Sequence, residues 1–432
     1  MNHLTVHEWR SVPVRAAASP GAFSRAQADA LLAAARAHPL AGKAGTRVLA
    51  DRRDCLKAGG LVGVIAAEGC SLEILPKLDL DERDAPEDKA RARLRTRLLR
   101  MLDVVWDLNL GVGEAAQMAR QEDSLLEVLI RLFAQRLLDQ TRRGLPRLYR
   151  AQEDDLPALR GRLDVMRQFT VHAVRPDRLA CRFDELSHDI ALLQVMKACV
   201  VLLRRHARGL ETCRLLDELR FVLADVSEVA PRDLPWQAVR IDRSNRGWQG
   251  LFDMASQFLR RTWQATHHDS RAERGFTLLF AMNDLFEAYV AALLERHAPA
   301  GWTVTKQGRM KYCLTEDGKG RFQTKPDILV RQGNKTSIID TKWKAIGTDP
   351  EDEKHGISQA DVYQMMAYGQ LYGSPDLILL YPHHAKLGKA PVIHGYKVNP
   401  VNGSNRSLRV ATVLLAPDSD MVGQQLWKLL IP

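Results

Sequence analysis

Two short apolar runs in the C-terminal third each carry an aspartate that a buried strand would ordinarily exclude. Lys325-Pro-Asp327-Ile-Leu-Val330 is followed by Ile338-Ile-Asp340-Thr-Lys342-Trp343. Residues two apart in a strand share a face, so Asp340 and Lys342 point one way and Ile339 and Thr341 the other. A carboxylate beside a core is costly unless a cation or hydrogen-bond donors compensate it. The two acids are 13 positions apart. If Asp327 begins one strand and Asp340 lies on its hairpin partner, that spacing lets the carboxylates converge. Two hard carboxylates with open coordination positions suit Mg²⁺. Such an ion lowers the pKa of a bound water and clamps a phosphate. A lysine alongside can position that water or stabilise developing negative charge. Asp327, Asp340 and Lys342 therefore make a minimal phosphodiester-hydrolysis site, with Asp327 and Asp340 as metal ligands.

The surrounding text reads as a compact α/β domain over residues 271–432. A helix with apolar Leu278, Leu279, Met282, Leu285, Phe286 and Val290 comes first. Strands are expected at Trp302–Lys306, Lys311–Thr315, Pro326–Val330 and Thr336–Trp343, then a helix at Ser358–Tyr372. Further strands are expected at Leu377–Tyr381, Val392–Lys397 and Leu408–Leu415. Residues 1–150 form a mixed region, with an Ala-rich helix at Ser24–Ala37 and a hairpin from Leu61–Ile65 and Ser71–Leu75. A hydrophilic loop is expected at Asp79–Ala90, followed by a basic helix bearing Arg91, Arg93, Arg95, Arg97 and Arg100. Those arginines read as a solvated helix face or a phosphate contact. A breaker-rich segment, Arg142–Arg150, marks a junction, and residues 151–270 read as a mainly helical connecting region.

Lys plus Arg is 62 and Asp plus Glu is 52, a formal net charge of +10. That excess suits a polyanionic partner, and Lys311, Arg321, Lys325 and Lys344 are the basic residues best placed to contact DNA phosphates near the acids. Six cysteines without a C-x-x-C pair disfavour a disulfide scaffold or zinc ribbon. No apolar run approaches a membrane span and the N-terminus lacks a signal-peptide layout, so no membrane contact and a cytoplasmic location are expected. The pairs His267-His268 and His383-His384 read as loop or surface residues.

The residues also resemble a known family. Asp327, Asp340 and Lys342 match the Pro-Asp…(Asp/Glu)-x-Lys motif of a nuclease superfamily. Gln364-Met-Met-Ala-Tyr368 resembles the Gln-x-x-x-Tyr element of its RecB-like branch, which implies that Gln364 and Tyr368 orient Lys342 or contact DNA. Glu287, in Asp284-Leu-Phe-Glu-Ala-Tyr289, resembles the helical acid that many such nucleases add to the metal site. Leu61–Ile65 with Leu72–Lys77, Arg147–Arg150, Leu159–Leu163 and Cys181–Asp189 look like successive blocks of McrC proteins, and Met282–Glu287 and Asp361–Gly369 continue the order.

That resemblance implies an α+β multidomain protein with a C-terminal PD-(D/E)xK restriction-endonuclease-like domain. It implies the Mg²⁺-dependent endonuclease subunit of a modification-dependent restriction system, acting on double-stranded DNA. Residues 1–150 would dock on a McrB-like AAA+ GTPase hexamer and stimulate GTP hydrolysis. No Gly-x-x-x-x-Gly-Lys-(Ser/Thr) occurs here, which agrees with GTP residing on the partner. Two other readings use the same residues: a non-cleaving adaptor and activator of the ring, and a free-standing DNA repair nuclease.

Overall fold

A computed structural model describes the chain except at residues 1, 18, 43–45, 78–86, 108–123, 176, 264–274, 309, 348–351, 388–390, 400–405, 417 and 432. His267-His268 and most of the expected 79–90 loop lie outside the described residues. Contacts divide the chain into two units, Met1–Leu126 with Gln264–Pro432, and Glu127–Trp263. The sequence suggests divisions after residues 150 and 270, whereas the first unit gathers both ends of the chain.

The first unit opens with strands β1 (Asn2–His7), β2 (Ser11–Arg15), β3 (Phe23–Ser24), β4 (Leu49–Asp51), β5 (Cys55–Ala58), β6 (Leu61–Ala67) and β7 (Cys70–Leu75). The expected hairpin is β6–β7, antiparallel, with Gly63 opposite Ile74. Every residue of both strands is buried, so the pattern does not alternate. The reason is cover on both faces. Leu72 and Ile74 join the core formed with Ala28, Leu31 and Ala35 of the Arg25–Arg36 helix. Glu73 lies between them and meets Arg95 of the Glu87–Trp106 helix, Nε to Oε1 at 2.7 Å. Arg95 is therefore a buried ion-pair member, and the reading of that arginine row as a solvated or phosphate-facing side fails there. The Arg25–Arg36 helix starts with a capping box in which the Ser24 hydroxyl accepts from Gln27 N and the Gln27 side chain accepts from Ser24 N.

The second unit contains helices Ala191–His206, Leu210–Val222 and Gln249–Trp263, and most of Leu125–Arg143. It also holds a sheet ordered β8-β10-β9, from β8 (Leu148–Leu156), β9 (Arg162–Leu163) and β10 (Leu179–Ser187). That sheet is the departure from a mainly helical reading. Its strands are largely exposed, so hydrophobic periodicity gave no signal. Gly161 adopts φ +70, and a Cβ there would lie 2.4 Å from Arg182 O, which accounts for the glycine between Arg160 and Arg162.

The chain re-enters the first unit as β11 (Phe276–Ala281), antiparallel to β6. Leu278 and Leu279 were expected in a helix; they lie in this strand, and the helix runs Met282–Arg296. Six successive apolar or small residues fit a strand buried on both faces as well as a helix, and pairing with β6 decides the outcome. A Cβ on Gly63 would fall 2.0 Å from Leu278 O, so this close approach requires glycine.

Beyond the helix come β12 (Trp302–Lys306), β13 (Lys311–Glu316), β14 (Lys319–Thr324), β15 (Ile328–Gln332), β16 (Lys335–Thr341), β17 (Asp376–Pro382), β18 (Val392–Val398) and β19 (Arg406–Val413). Six of them form a sheet ordered β12-β15-β16-β17-β19-β18, and β13-β14 is a separate exposed hairpin. The helix Gln359–Tyr372 packs Met365, Tyr368 and Tyr372 against Leu377, Leu379 and Tyr381 in one core. A last helix, Ser419–Leu430, anchors Trp427, whose Nε1 donates to Leu294 O at 3.1 Å. The architecture is mixed α/β in several sheets. No described helix is long and apolar enough to cross a membrane.

Candidate active site

The expected convergence starts from register. β15 and β16 are antiparallel with Ile328 opposite Ile339, so Asp327 and Asp340 occupy the next opposed positions at the open end of the hairpin. β16 lies inside the sheet, flanked by β15 and β17, which leaves Asp340 only 1% exposed. Asp327 is fixed by Thr341, whose backbone N and Oγ1 donate to Asp327 Oδ2 at 2.8 and 2.9 Å.

Lys342 follows the strand and places its Nζ 2.6 Å from Asp340 Oδ2. Gln364 Oε1 accepts from the same ammonium at 3.3 Å, Gln364 Nε2 donates to Tyr368 Oη at 2.7 Å, and Tyr368 Oη donates to Lys325 O at 3.1 Å. Four positions apart, Gln364 and Tyr368 present one helix face to the strand ends. The relay ties the lysine to the chain segment that delivers Asp327. Asn283 Oδ1 accepts from Trp343 N at 3.1 Å, linking the turn after Lys342 to the helix that carries Glu287.

The electrostatics match a cluster of acids held partly out of water. Burial, then the neighbouring Asp327 charge, pushes Asp340 up to about 6, although Lys342 opposes both. Glu287 is pushed up to about 7 by burial and then by Asp327, against a hydrogen bond from Gln307. Burial alone would lower Lys342, but Asp340, Asp361 and Asp327 outweigh it and raise it. Burial raises Tyr368 to about 12, so it remains a donor at neutral pH.

A divalent ion is tested by the donors present. Asp340 Oδ1 is buried with no hydrogen-bond partner among the described residues. An orphaned carboxylate oxygen deep in a site needs a cation or a donor. No three His, Cys, Asp or Glu side chains form a closed ligand cluster among the described residues. Asp327 and Asp340 thus offer an open pair, with Glu287 beside Asp327, and that fits Mg²⁺, which keeps waters and uses few protein carboxylates.

The other basic residues named from sequence divide by partner. Lys311 Nζ donates to Leu371 O at 2.7 Å, Arg321 Nε to Glu316 at 2.8 Å and Lys344 Nζ to Asp361 Oδ2 at 2.7 Å. Lys325 is exposed two residues before Asp327, with Pro326 between them. His383 and His384 meet Thr412 Oγ1 and Ile346 O, each at 3.0 Å. Sequence reasoning missed Thr341, Asn283, Gln307 and Asp361 as parts of the site. Asp361 was findable, since it lies three residues before Gln364 on one helix face.

The sequence profile described as "McrBC 5-methylcytosine restriction system component" matches residues 56–382, more than half of the 432-residue chain. The chain belongs to the McrBC family. No curated protein matches it. Among solved structures, a chain in the half-complex from a tetradecameric assembly of Thermococcus gammatolerans McrB AAA+ hexamers with bound McrC aligns with a TM-score of 0.68 at 18% identity, covering 100% of both chains. A chain of the Thermococcus gammatolerans McrBC complex aligns with a TM-score of 0.52 at 22% identity, covering 68% of this chain and 88% of that one. At such identities the likeness is one of fold. For this McrBC-family chain, the profile spans the β6–β7 hairpin and every acid of the site.

Proposed function

We propose that this chain is the endonuclease subunit of a 5-methylcytosine-type restriction complex, with a PD-(D/E)xK nuclease domain that hydrolyses DNA phosphodiesters with Mg²⁺. The observation that carries this reading is the orphaned Oδ1 of Asp340, whose other oxygen meets Lys342 and whose strand position is opposite Asp327. Asp327 and Asp340 would hold the ion, with Glu287 as third carboxylate. When bound, Mg²⁺ would acidify a water and offset charge on the phosphate. The residues themselves do the rest. Thr341 keeps Asp327 oriented by two hydrogen bonds. Lys342 presents its ammonium to the attacked phosphate, where it orients water and stabilises negative charge. Gln364 and Tyr368 hold that ammonium in place. Glu287, which burial and Asp327 push up to about 7, would add a third carboxylate oxygen beside Asp327.

Membership of the McrBC family supports docking on a McrB-like AAA+ GTPase hexamer, which would bind GTP and choose the modified site. The Thermococcus assemblies, with McrC bound to McrB hexamers, support the same partner. Targeting by the partner suits a cleaving subunit that grips phosphates without reading bases. The test is cleavage of methylated plasmid by the reconstituted complex with GTP and Mg²⁺. Asp340→Ala and Lys342→Ala should abolish cutting while ring assembly persists; wild-type cutting by either variant would reject the assignment.

A further inference from the structure

Asp361 has no part in the reading above, yet it lies against the lysine that reading depends on. It is the third residue of the Gln359–Tyr372 helix, and Asp361, Gln364 and Tyr368 share one helix face at i, i+3 and i+7. Its side chain is mostly buried at 16% exposure. Oδ1 is 3.8 Å from Lys342 Nζ and Oδ2 is 2.7 Å from Lys344 Nζ. With Asp340 Oδ2 at 2.6 Å from Lys342, four charges of alternating sign form a row: Asp340, Lys342, Asp361, Lys344.

The order of that row matters. In the present arrangement Lys342 leans on Asp340, the same carboxylate a divalent cation would claim. Once Asp340 is engaged, the ammonium loses its nearest anion and faces a new positive charge. Gln364 offers only a neutral oxygen at 3.3 Å. The next carboxylate within reach is Asp361.

We propose that Asp361 is a positioning residue: a second anionic anchor that keeps Lys342 at the site when Asp340 is occupied by a divalent cation. Lys344 holds the anchor, pairing with Oδ2 and leaving Oδ1 turned to Lys342. The inference rests on the nuclease reading and extends it to a residue that touches neither metal nor phosphate.

The experiment is pulse acetylation of the full-length chain, read by mass spectrometry at Lys342 and Lys344, with and without Mg²⁺. Wild type, Asp361→Asn and Asp361→Glu are compared, and Asp361→Ser serves as a second uncharged variant if Asn disturbs the fold. In wild type, Lys342 labelling should change by less than about twofold on adding Mg²⁺, since one charged partner replaces another. In Asp361→Asn it should match wild type without Mg²⁺ and rise roughly fivefold with it, the effect of losing one charged hydrogen-bond partner. Asp361→Glu should restore the wild-type pattern, which a purely structural role would not require. If wild type binds Mg²⁺ by calorimetry and cuts DNA, but the uncharged variants label like wild type, this inference fails and the nuclease reading stands. If wild type does not bind Mg²⁺, the nuclease reading fails and the anchor falls with it.

Discussion

Replacing Asp340 by Asn should make the metal-free protein more stable. Asp340 is 1% exposed and its carboxyl is pushed up to about 6, by burial first and by Asp327 second, even with Lys342 in contact. An unfolded aspartate titrates near 3.9, so ionising Asp340 in the folded chain costs about 3 kcal/mol more than in the unfolded one. Because the folded value is the higher, the penalty is absent well below pH 4, grows as pH rises through 6 and is complete above it. Asparagine has the shape of the protonated acid and carries none of that cost. Asp340→Asn should therefore raise the calorimetric midpoint of the first unit by roughly 5 °C at pH 7.5 in EDTA, with about a third of the free-energy gain left at pH 4.5. The same variant should lose cleavage. A midpoint unchanged or lowered at pH 7.5, or an equal gain at both pH values, would refute the claim that buried acids are held there against their own repulsion.

Other outcomes follow from the same geometry. Arg95→Ala removes the guanidinium from fully buried Glu73, leaving His3 and Thr5 beside it, and should cost about 3 kcal/mol in urea unfolding. His3 and Arg95 hold Glu73 below the ordinary carboxylate range against burial, so its contribution is present above about pH 4.5, and the gap between variant and wild type should narrow as acid titrates it. Asp189→Asn should destabilise the second unit by about 2 kcal/mol at pH 7, because donors from Gln194, Ser227 and Arg150 outweigh burial and draw that carboxyl down to about 2; calorimetry at pH 3 should show roughly half the difference. Tyr368→Phe removes the hydroxyl between Gln364 and Lys325 O and should slow single-turnover cleavage by about tenfold with the melting profile unchanged.

The site was more legible in the sequence than the fold around it. Asp327, Asp340 and Lys342 stand out in the sequence because acids and a cation beside apolar strands strain burial rules, and the structure brings Lys342 against Asp340 with Asp327 across the hairpin. Gln364 and Tyr368 were named from the resemblance to the Gln-x-x-x-Tyr element, and helical spacing puts the two on one face. Asp361 escaped notice because one acid on a helix looks like a solvated residue until Lys342 and Lys344 are placed around it. β11 was misread because Phe276–Ala281 carries Thr277 alone as a polar residue, too little to separate strand from helix, so its partner β6 decides. β14 was missed because Lys319–Thr324 is polar and exposed, and its pairing with β13 is the only evidence for it. The union of the chain's two ends runs through that β6–β11 pairing and through the Glu87–Trp106 helix on the Met282–Arg296 helix, and local pattern holds no trace of contacts so distant in sequence.

The account stands on one divalent ion shared by two aspartates beside an ammonium. Anomalous diffraction from crystals of the complex soaked in Mn²⁺ tests this most directly. The expected result is a peak within ligand distance of both Asp327 and Asp340 that disappears in Asp340→Asn. A soaked, catalytically competent crystal with no peak there, or with its peak held by other residues, would contradict it.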